Sequence, residues 1–217
     1  MASVVGVDGC RRGWIAAEVD GRVVTTQLFT TFDDLLDAVG DRPLGIDMPL
    51  GTLPATVGAT DRRRSELAAR GFLGPARSSI FWSPSAEVLE RWRRDPVHPI
   101  GIGVSIQTWN LLPKIAEVAD VLAARPRPVL EVHPECSFRA MAPDTGFASK
   151  KTATGREQRL EALNRWAEVA VPVGRAARFL EDALDATAVA WSVARWTRGE
   201  ALTLPSDAAP GEPTITI

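Results

Sequence analysis

The sequence predicts an α/β fold: a mixed five-stranded sheet flanked by helices, with a block of helices inserted between the fourth and fifth strands. Three observations predict it. Apolar runs at the N-terminus are joined by tight turns, as in an antiparallel meander. A fourth run, Leu44-Gly45-Ile46-Asp47, follows after one helical pattern. From about residue 50 to residue 127, prolines and glycines break the chain into helical pieces, after which one more strand and two helices close it. The 217 residues suit one domain over 1–204, with the insertion at about 50–127 and a tail at 205–217.

Residues 3–8 form the first strand, a nearly continuous apolar run suited to burial. Trp14 to Val19 alternates, and Gly21-Arg22 turns it into a third strand, Val23 to Phe29. Thr31 is an N-cap, with Asp33 and Asp34 in the first helical turn and Leu35, Leu36 and Val39 on one face; Gly40 closes the helix. Leu44 to Asp47 is the fourth strand, stopped by Pro49. In the insertion, Asp61 to Arg70 is a helix closed by Gly71, and Ser85 to Arg94 is a second, ended by Pro96. Ile106 to Ala124 is a third, with a kink or a fresh start at Pro113. Pro128 to His133 is the fifth strand and 143–153 a loop. Thr154 to Ala167 and Arg175 to Arg198 are helices, and the Pro-, Ala- and Asp-rich tail from Pro205 is expected to be loosely held.

Hydrophobic content of 45% and charged content of 24% are ordinary for a globular chain. The net charge of −2 does not announce a nucleic-acid binder, because such domains are usually basic. Arginine supplies nearly all the positive charge, and Arg62-Arg63-Arg64, Arg91, Arg93 and Arg94 concentrate it in the insertion. Cys10 and Cys136 lack metal-ligand spacing and read as reduced thiols. No run approaches the roughly 20 apolar residues of a membrane span, so a soluble cytoplasmic protein without membrane partners is expected.

The chemistry lies in the acids. Asp8 ends the first strand, Asp47 ends the fourth, and Asp182 and Asp185 share a face of the last helix at i,i+3 spacing. That helix is otherwise apolar through Leu180, Leu184, Ala188 and Trp191, so its acidic face costs repulsion unless a cation or solvent relieves it. Neighbouring strands lie about 4.8 Å apart, close enough for two strand ends to share one ion. Hard cations such as Mg²⁺ or Mn²⁺ take carboxylate oxygens, and two of them about 4 Å apart stabilise an in-line displacement at phosphorus. The candidates for this metal and catalytic role are Asp8, Asp47, Asp182 and Asp185, with Glu131 on the fifth strand as a further catalytic carboxylate.

Each candidate has a plainer reading. Asp8 could cap a turn, Asp47 could begin an Asx-turn into Met48-Pro49, and the Asp182–Asp185 face could be a solvated one. Glu131, His133 and Glu135 alternate and would face one side of a strand. His133 could be a metal ligand or general base, could meet substrate, or could be hydrogen-bonded structure, and Glu135 could cap the next helix. Arg11 and Arg12, beside Asp8, could clamp phosphate or merely decorate a hairpin. Lys114, Lys150 and Lys151 are the only lysines and are candidates for a substrate phosphate; Ser105 and Gln107 are candidates for positioning substrate. Arg62-Arg63-Arg64 could contact phosphate or be a solvated charge run.

Val5-Gly6-Val7-Asp8-Gly9-Cys10-Arg11-Arg12-Gly13-Trp14, Ile46-Asp47-Met48-Pro49-Leu50-Gly51, Ser105-Ile106-Gln107-Thr108-Trp109, Pro113-Lys114-Ile115, Glu131-Val132-His133-Pro134-Glu135 and Asp182-Ala183-Leu184-Asp185-Ala186 together resemble the DUF429 family over residues 3 to about 198. That family is described as predicted nucleases with a ribonuclease H-like fold. The run Asp182 to Ala190 is also similar to the final catalytic helix of RuvC-like Holliday-junction resolvases. The resemblance implies a Mg²⁺- or Mn²⁺-dependent nuclease or phosphodiesterase with Asp8, Asp47, Asp182 and Asp185 as metal ligands. The acidic net charge and the helical insertion depart from the resolvases, so a branched DNA substrate does not follow. Two alternatives stand beside the nuclease: a nucleotide-binding phosphotransferase of the actin-like kinase type, and a non-catalytic adaptor that retains the fold.

Overall fold

The computed structural model describes residues 3–52, 62–97, 105–170 and 174–217, with the side chains of 174–176 left aside. Five strands, β1 (Val4–Cys10), β2 (Gly13–Asp20), β3 (Val23–Phe29), β4 (Leu44–Ile46) and β5 (Leu130–Glu131), form one sheet in the order β3-β2-β1-β4-β5. The β1–β2 and β2–β3 pairs are antiparallel; the β1–β4 and β4–β5 pairs are parallel. This mixed order is that of the ribonuclease H-like fold. The meander follows from the turns: Gly13 (φ 132°) and Gly21 (φ 59°) take conformations that a side chain resists.

The chain divides into two compact units. One comprises Met1–Met48, Pro128–Thr203 and Thr216–Ile217; the other comprises Pro49–Arg127 and Leu204–Ile215. The first unit holds the sheet. On one face lies α1 (Phe32–Val39), capped by the Thr31 hydroxyl, which accepts from Asp34 N, and closed at Gly40. Its Phe32, Leu35, Leu36 and Val39 are buried, and Phe32 tilts against Trp14 with ring centroids 5.3 Å apart. On the other face lies α7 (Leu180–Thr197), buried continuously from Ala183 to Ala194. Small residues permit this. A methyl group added at Gly6 would overlap the Ala186 carbonyl oxygen and the Ala190 nitrogen, and one at Gly45 would come within 2.6 Å of Val193 Cγ2. The helix lies directly on β1 and β4 because both strands offer it a glycine, and the two are register partners.

Two helices of this unit, α5 (Pro134–Met141) and α6 (Ala153–Asn164), pack with α7 through Phe138, Ala162, Leu163, Leu184 and Ala188. A 3-10 turn over Gly174–Phe179 precedes α7, where the sequence predicts one helix from Arg175. The fifth strand is shorter than the predicted Pro128 to His133: β5 ends at Glu131, because Pro134 sits at the first turn of α5, with His133 as its N-cap.

The second unit contains α2 (Arg64–Leu73), α3 (Ala86–Arg94) and α4 (Ile106–Ala124). The predicted start at Asp61 lies outside the described residues. Gly71 does not end α2, which continues to a cap at Gly74 (φ 56°). Ser85 caps α3, and α4 runs through Pro113 without a new start. The tail is tied down where the sequence suggests looseness. Strands β6 (Thr203–Leu204) and β7 (Ile215–Thr216) pair, Leu202 and Ile217 exchange two 2.8 Å backbone bonds, and Ile217 is fully buried. Apolar Ile215 and Ile217 pull the end of the chain in where composition alone suggested a free tail.

Candidate functional site

Strand alternation decides what each face carries. Val4, Cys10, Ile15, Ala17 and Val19 belong to the core beneath α7. Gly6 lies in the same row, and so does Asp8, two residues on and opposite Ile15. On β4 the register repeats the pattern: Gly45 pairs with Gly6, and Asp47 follows two residues later, its N–H donating to the Val7 carbonyl at 2.9 Å. Each strand therefore presents a glycine under α7 and then an aspartate just past it. The helix runs antiparallel to both strands, with Ala186 and Ala190 over Gly6, so its first turns bring Asp182 and Asp185 toward the same end.

Electrostatics gives the gathering its content. The charges of Asp47, Asp185 and Asp182 all act on Asp8, which is only 9% exposed. Burial first, and then these neighbours, hold the Asp8 carboxyl well above the ordinary value of 3.8. Burial pushes Asp47 up to about 7, against the pull of Lys150 and with a push from Glu135. Burial likewise pushes Asp185 up to about 6; Lys150 opposes it, while Asp47 and Glu135 add to it. Asp185 is nearly sealed from solvent, and its Oδ2 accepts from Lys150 Nζ at 2.6 Å. Burial works against the Lys150 charge, but Asp185, Asp8 and Asp47 outweigh it, so the ammonium sits above the usual lysine value.

The other sequence candidates divide. Arg11 and Arg12 are exposed on the β1–β2 turn, just beyond Asp8. Lys151 is exposed, and its carbonyl accepts from Arg156. Glu131 is the register partner of Ile46 and thus projects from the face opposite Asp47; the structure does not bring it into the carboxylate cluster. His133 caps α5 at the strand's end. Gln107, exposed, and Lys114, half-buried, lie on α4 in the second unit. Ser105 serves as the cap of that helix, accepting from Thr108 N at 3.1 Å. The arginine run is consumed internally. Arg62 stacks on Trp82, Arg63 is buried beside Glu66 and donates to Ser83, and Arg64 pairs with Asp207 and Glu212.

Two residues outside the site expected from the sequence join these acids electrostatically or by hydrogen bonds. Glu135, in the first turn of α5 and not on a strand, contributes its charge to Asp47 and Asp185. Arg159 on α6 is 3% exposed and grips both Glu135 oxygens at 2.7 and 2.9 Å. It also donates to the carbonyls of Ala148 and Gly155 at 2.9 Å and lies over the rings of Phe138 and Phe147. The available signal was an arginine inside a helix whose neighbours pack inward, Leu160, Ala162 and Leu163.

The donor set suits a hard divalent cation by chemistry: oxygen ligands whose mutual repulsion a cation relieves. Among the described residues, no three acidic, cysteine or histidine side chains are already gathered tightly enough to hold an ion, and the cluster's countercharge is the Lys150 ammonium. Among these residues, too, no helix is long and apolar enough to cross a membrane. No curated protein and no solved structure matches the chain. The family model described as a protein of unknown function, DUF429, matches residues 6–209, and the chain belongs to that family.

Proposed function

We propose that the chain is a divalent-metal-dependent hydrolase of phosphodiester bonds, a nuclease or phosphodiesterase working from the carboxylate centre of its ribonuclease H-like sheet. The observation that carries the reading is the convergence of four aspartates from β1, β4 and α7 on one electrostatic neighbourhood, with Asp8 and Asp185 buried. Carboxylates are almost never buried together without a cationic partner, and a cluster of this kind at a strand-end crevice is a functional candidate.

Asp8, Asp47, Asp182 and Asp185 would hold Mg²⁺ or Mn²⁺, which when bound in a pair supplies positive charge to the attacking and leaving oxygens of the phosphoryl group. The chain's own residues do the rest. Burial keeps water from screening Asp8 and Asp185, and the β1–β4 register fixes Asp8 beside Asp47. Lys150, the nearest lysine to these acids, and exposed Arg11 and Arg12 on the adjoining turn offer cationic donors to a substrate phosphate.

The test is a panel of labelled single-stranded, duplex, hybrid and branched nucleic acids, with a small phosphodiester and ATP as further arms, assayed with Mn²⁺. Wild type should cleave at least one phosphodiester, and Asp8→Asn should lose at least about a hundredfold of that rate while remaining folded. Hydrolysis that Asp8→Asn leaves intact, or ATP turnover with no phosphodiester cleaved, would sink the reading.

A further inference from the structure

The lysine in the acidic centre is built in with care. Its loop is anchored on both sides of Lys150. Ala148 N donates to Gln158 Oε1 at 2.8 Å, and the Ala148 carbonyl accepts from buried Arg159. The Ser149 carbonyl accepts from the Thr152 N–H and hydroxyl and lies so close to Gly155 that any side chain there would overlap it. Arg159 ties the same loop to Glu135, whose charge already acts on Asp47 and Asp185. The backbone is therefore fixed, and the mobile part is the four-carbon stem of Lys150. Its side chain is 43% exposed while that of its partner Asp185 is 3% exposed. The ammonium enters the carboxylate centre from the solvent side and has a way back out.

One cation here serves three carboxylates, because Asp8 and Asp47 act on Lys150 as well as Asp185. A compact ammonium and a small divalent ion compete for the same oxygen lone pairs. We infer that Lys150 is an exchangeable counter-ion of the carboxylate centre: it neutralises Asp185 in the ion-free protein, and it must release that carboxylate before a divalent cation can be held there. This rests on the reading of the centre as cation-holding and adds to it a competition built into the fold. The anchored loop keeps the lysine poised beside the centre in both states. A purely structural ion pair behaves differently, because its loss weakens the protein whether or not an ion is present.

The experiment is Mn²⁺ titration by calorimetry on the chelator-stripped full chain, comparing wild type, Lys150→Met, Lys150→Arg and Asp185→Asn. Lys150→Met should bind Mn²⁺ about tenfold more tightly than wild type, the lower end of what close charge pairs contribute. Lys150→Arg should bind no more tightly than wild type, and Asp185→Asn should bind more weakly. Melting should show Lys150→Met below wild type in chelator and restored by Mn²⁺. Equal or weaker Mn²⁺ binding by a folded Lys150→Met would overturn the inference while leaving wild-type ion binding, and so the proposed function, in place. An absence of binding in every protein would overturn both. Should Lys150→Met fail to fold, wild type decides: the ammonium resonance of Lys150 should change on saturation with Mg²⁺, and an unchanged resonance at saturation would overturn the inference.

Discussion

At the scale of single residues, the centre trades stability for charge. Burial first, and then three other aspartates with one lysine to balance them, raise the pKa of Asp8. Removing its charge should stabilise the ion-free protein. Asp8→Asn in chelator at pH 8 should melt roughly 3 °C above wild type, corresponding to about 1 kcal/mol for a chain of this length. Differential scanning calorimetry reads this directly, and a lower melting temperature would mean that the Asp8 charge is compensated. The same physics sets a pH dependence. Asp47 and Asp185 move from an ordinary 3.8 to about 7 and about 6, so between those limits the folded state binds more protons than the unfolded chain. Stability in chelator should fall as pH rises from about 4 to 7. Glu18 works in the opposite sense, since hydrogen bonds from Arg42 and Ser3 lower its pKa from the ordinary 4.5, so its effect is confined to the acid end of the window. Saturating Mg²⁺ or Mn²⁺ should flatten the decline. A melting temperature that climbs across the window without metal would contradict the raised values.

At the scale of elements, the glycines under α7 are as consequential as the acids beyond them. Gly6→Ala forces backbone against backbone, and such overpacking costs about 1–3 kcal/mol or more. It should lower the melting temperature by several degrees or prevent folding. Gly71→Ala, inside α2 with open space around it, should instead stabilise by roughly 0.5–1 kcal/mol. Urea denaturation of the two variants checks both signs, and a neutral Gly6→Ala would mean that α7 does not lie on β1 as described. The meander and the Thr31 cap were legible because turn glycines, alternation and capping residues are local signals. Gly71 misled because it does not oblige a helix to stop once packing favours its continuation, whereas Ile106 to Ala124 is one helix through Pro113 with the expected bounds. The four aspartates stood out at strand ends and on one helix face. Glu131 faced the other way because β5 pairs in register with Ile46, a partner no linear pattern discloses. Glu135 and Arg159 were hidden for a related reason: their importance lies in a grip between residues 24 positions apart, on two different helices.

At the scale of the whole molecule, charge governs how a polyanion would be met. The net charge is −2, and much of the arginine is already engaged within the protein. Arg63 is buried against Glu66, Arg64 is held by Asp207 and Glu212, Arg93 by Glu90 and Asp120, and Arg159 by Glu135. Arg62 and Arg70 stack on Trp82, and Arg70 also donates to the carbonyls of Arg77 and Ile80. Among the described residues, Arg11 and Arg12 on the β1–β2 turn and Lys151 beside Lys150 are exposed cations on loops next to the carboxylate centre. Each phosphate neutralised contributes a slope of about −0.9 to the dependence of log K on log salt for duplex DNA, so three contacts give about −3. Binding of the Asp8→Asn chain to a duplex, followed by fluorescence anisotropy from 50 to 200 mM salt, should show a slope no steeper than that. Substituting Arg11 and Arg12 by Ala together should make it shallower by about 2. A slope near −8 would mean that arginines now paired inside the protein are surrendered to the phosphates, and the charge accounting for this surface would have to be redrawn around the second unit.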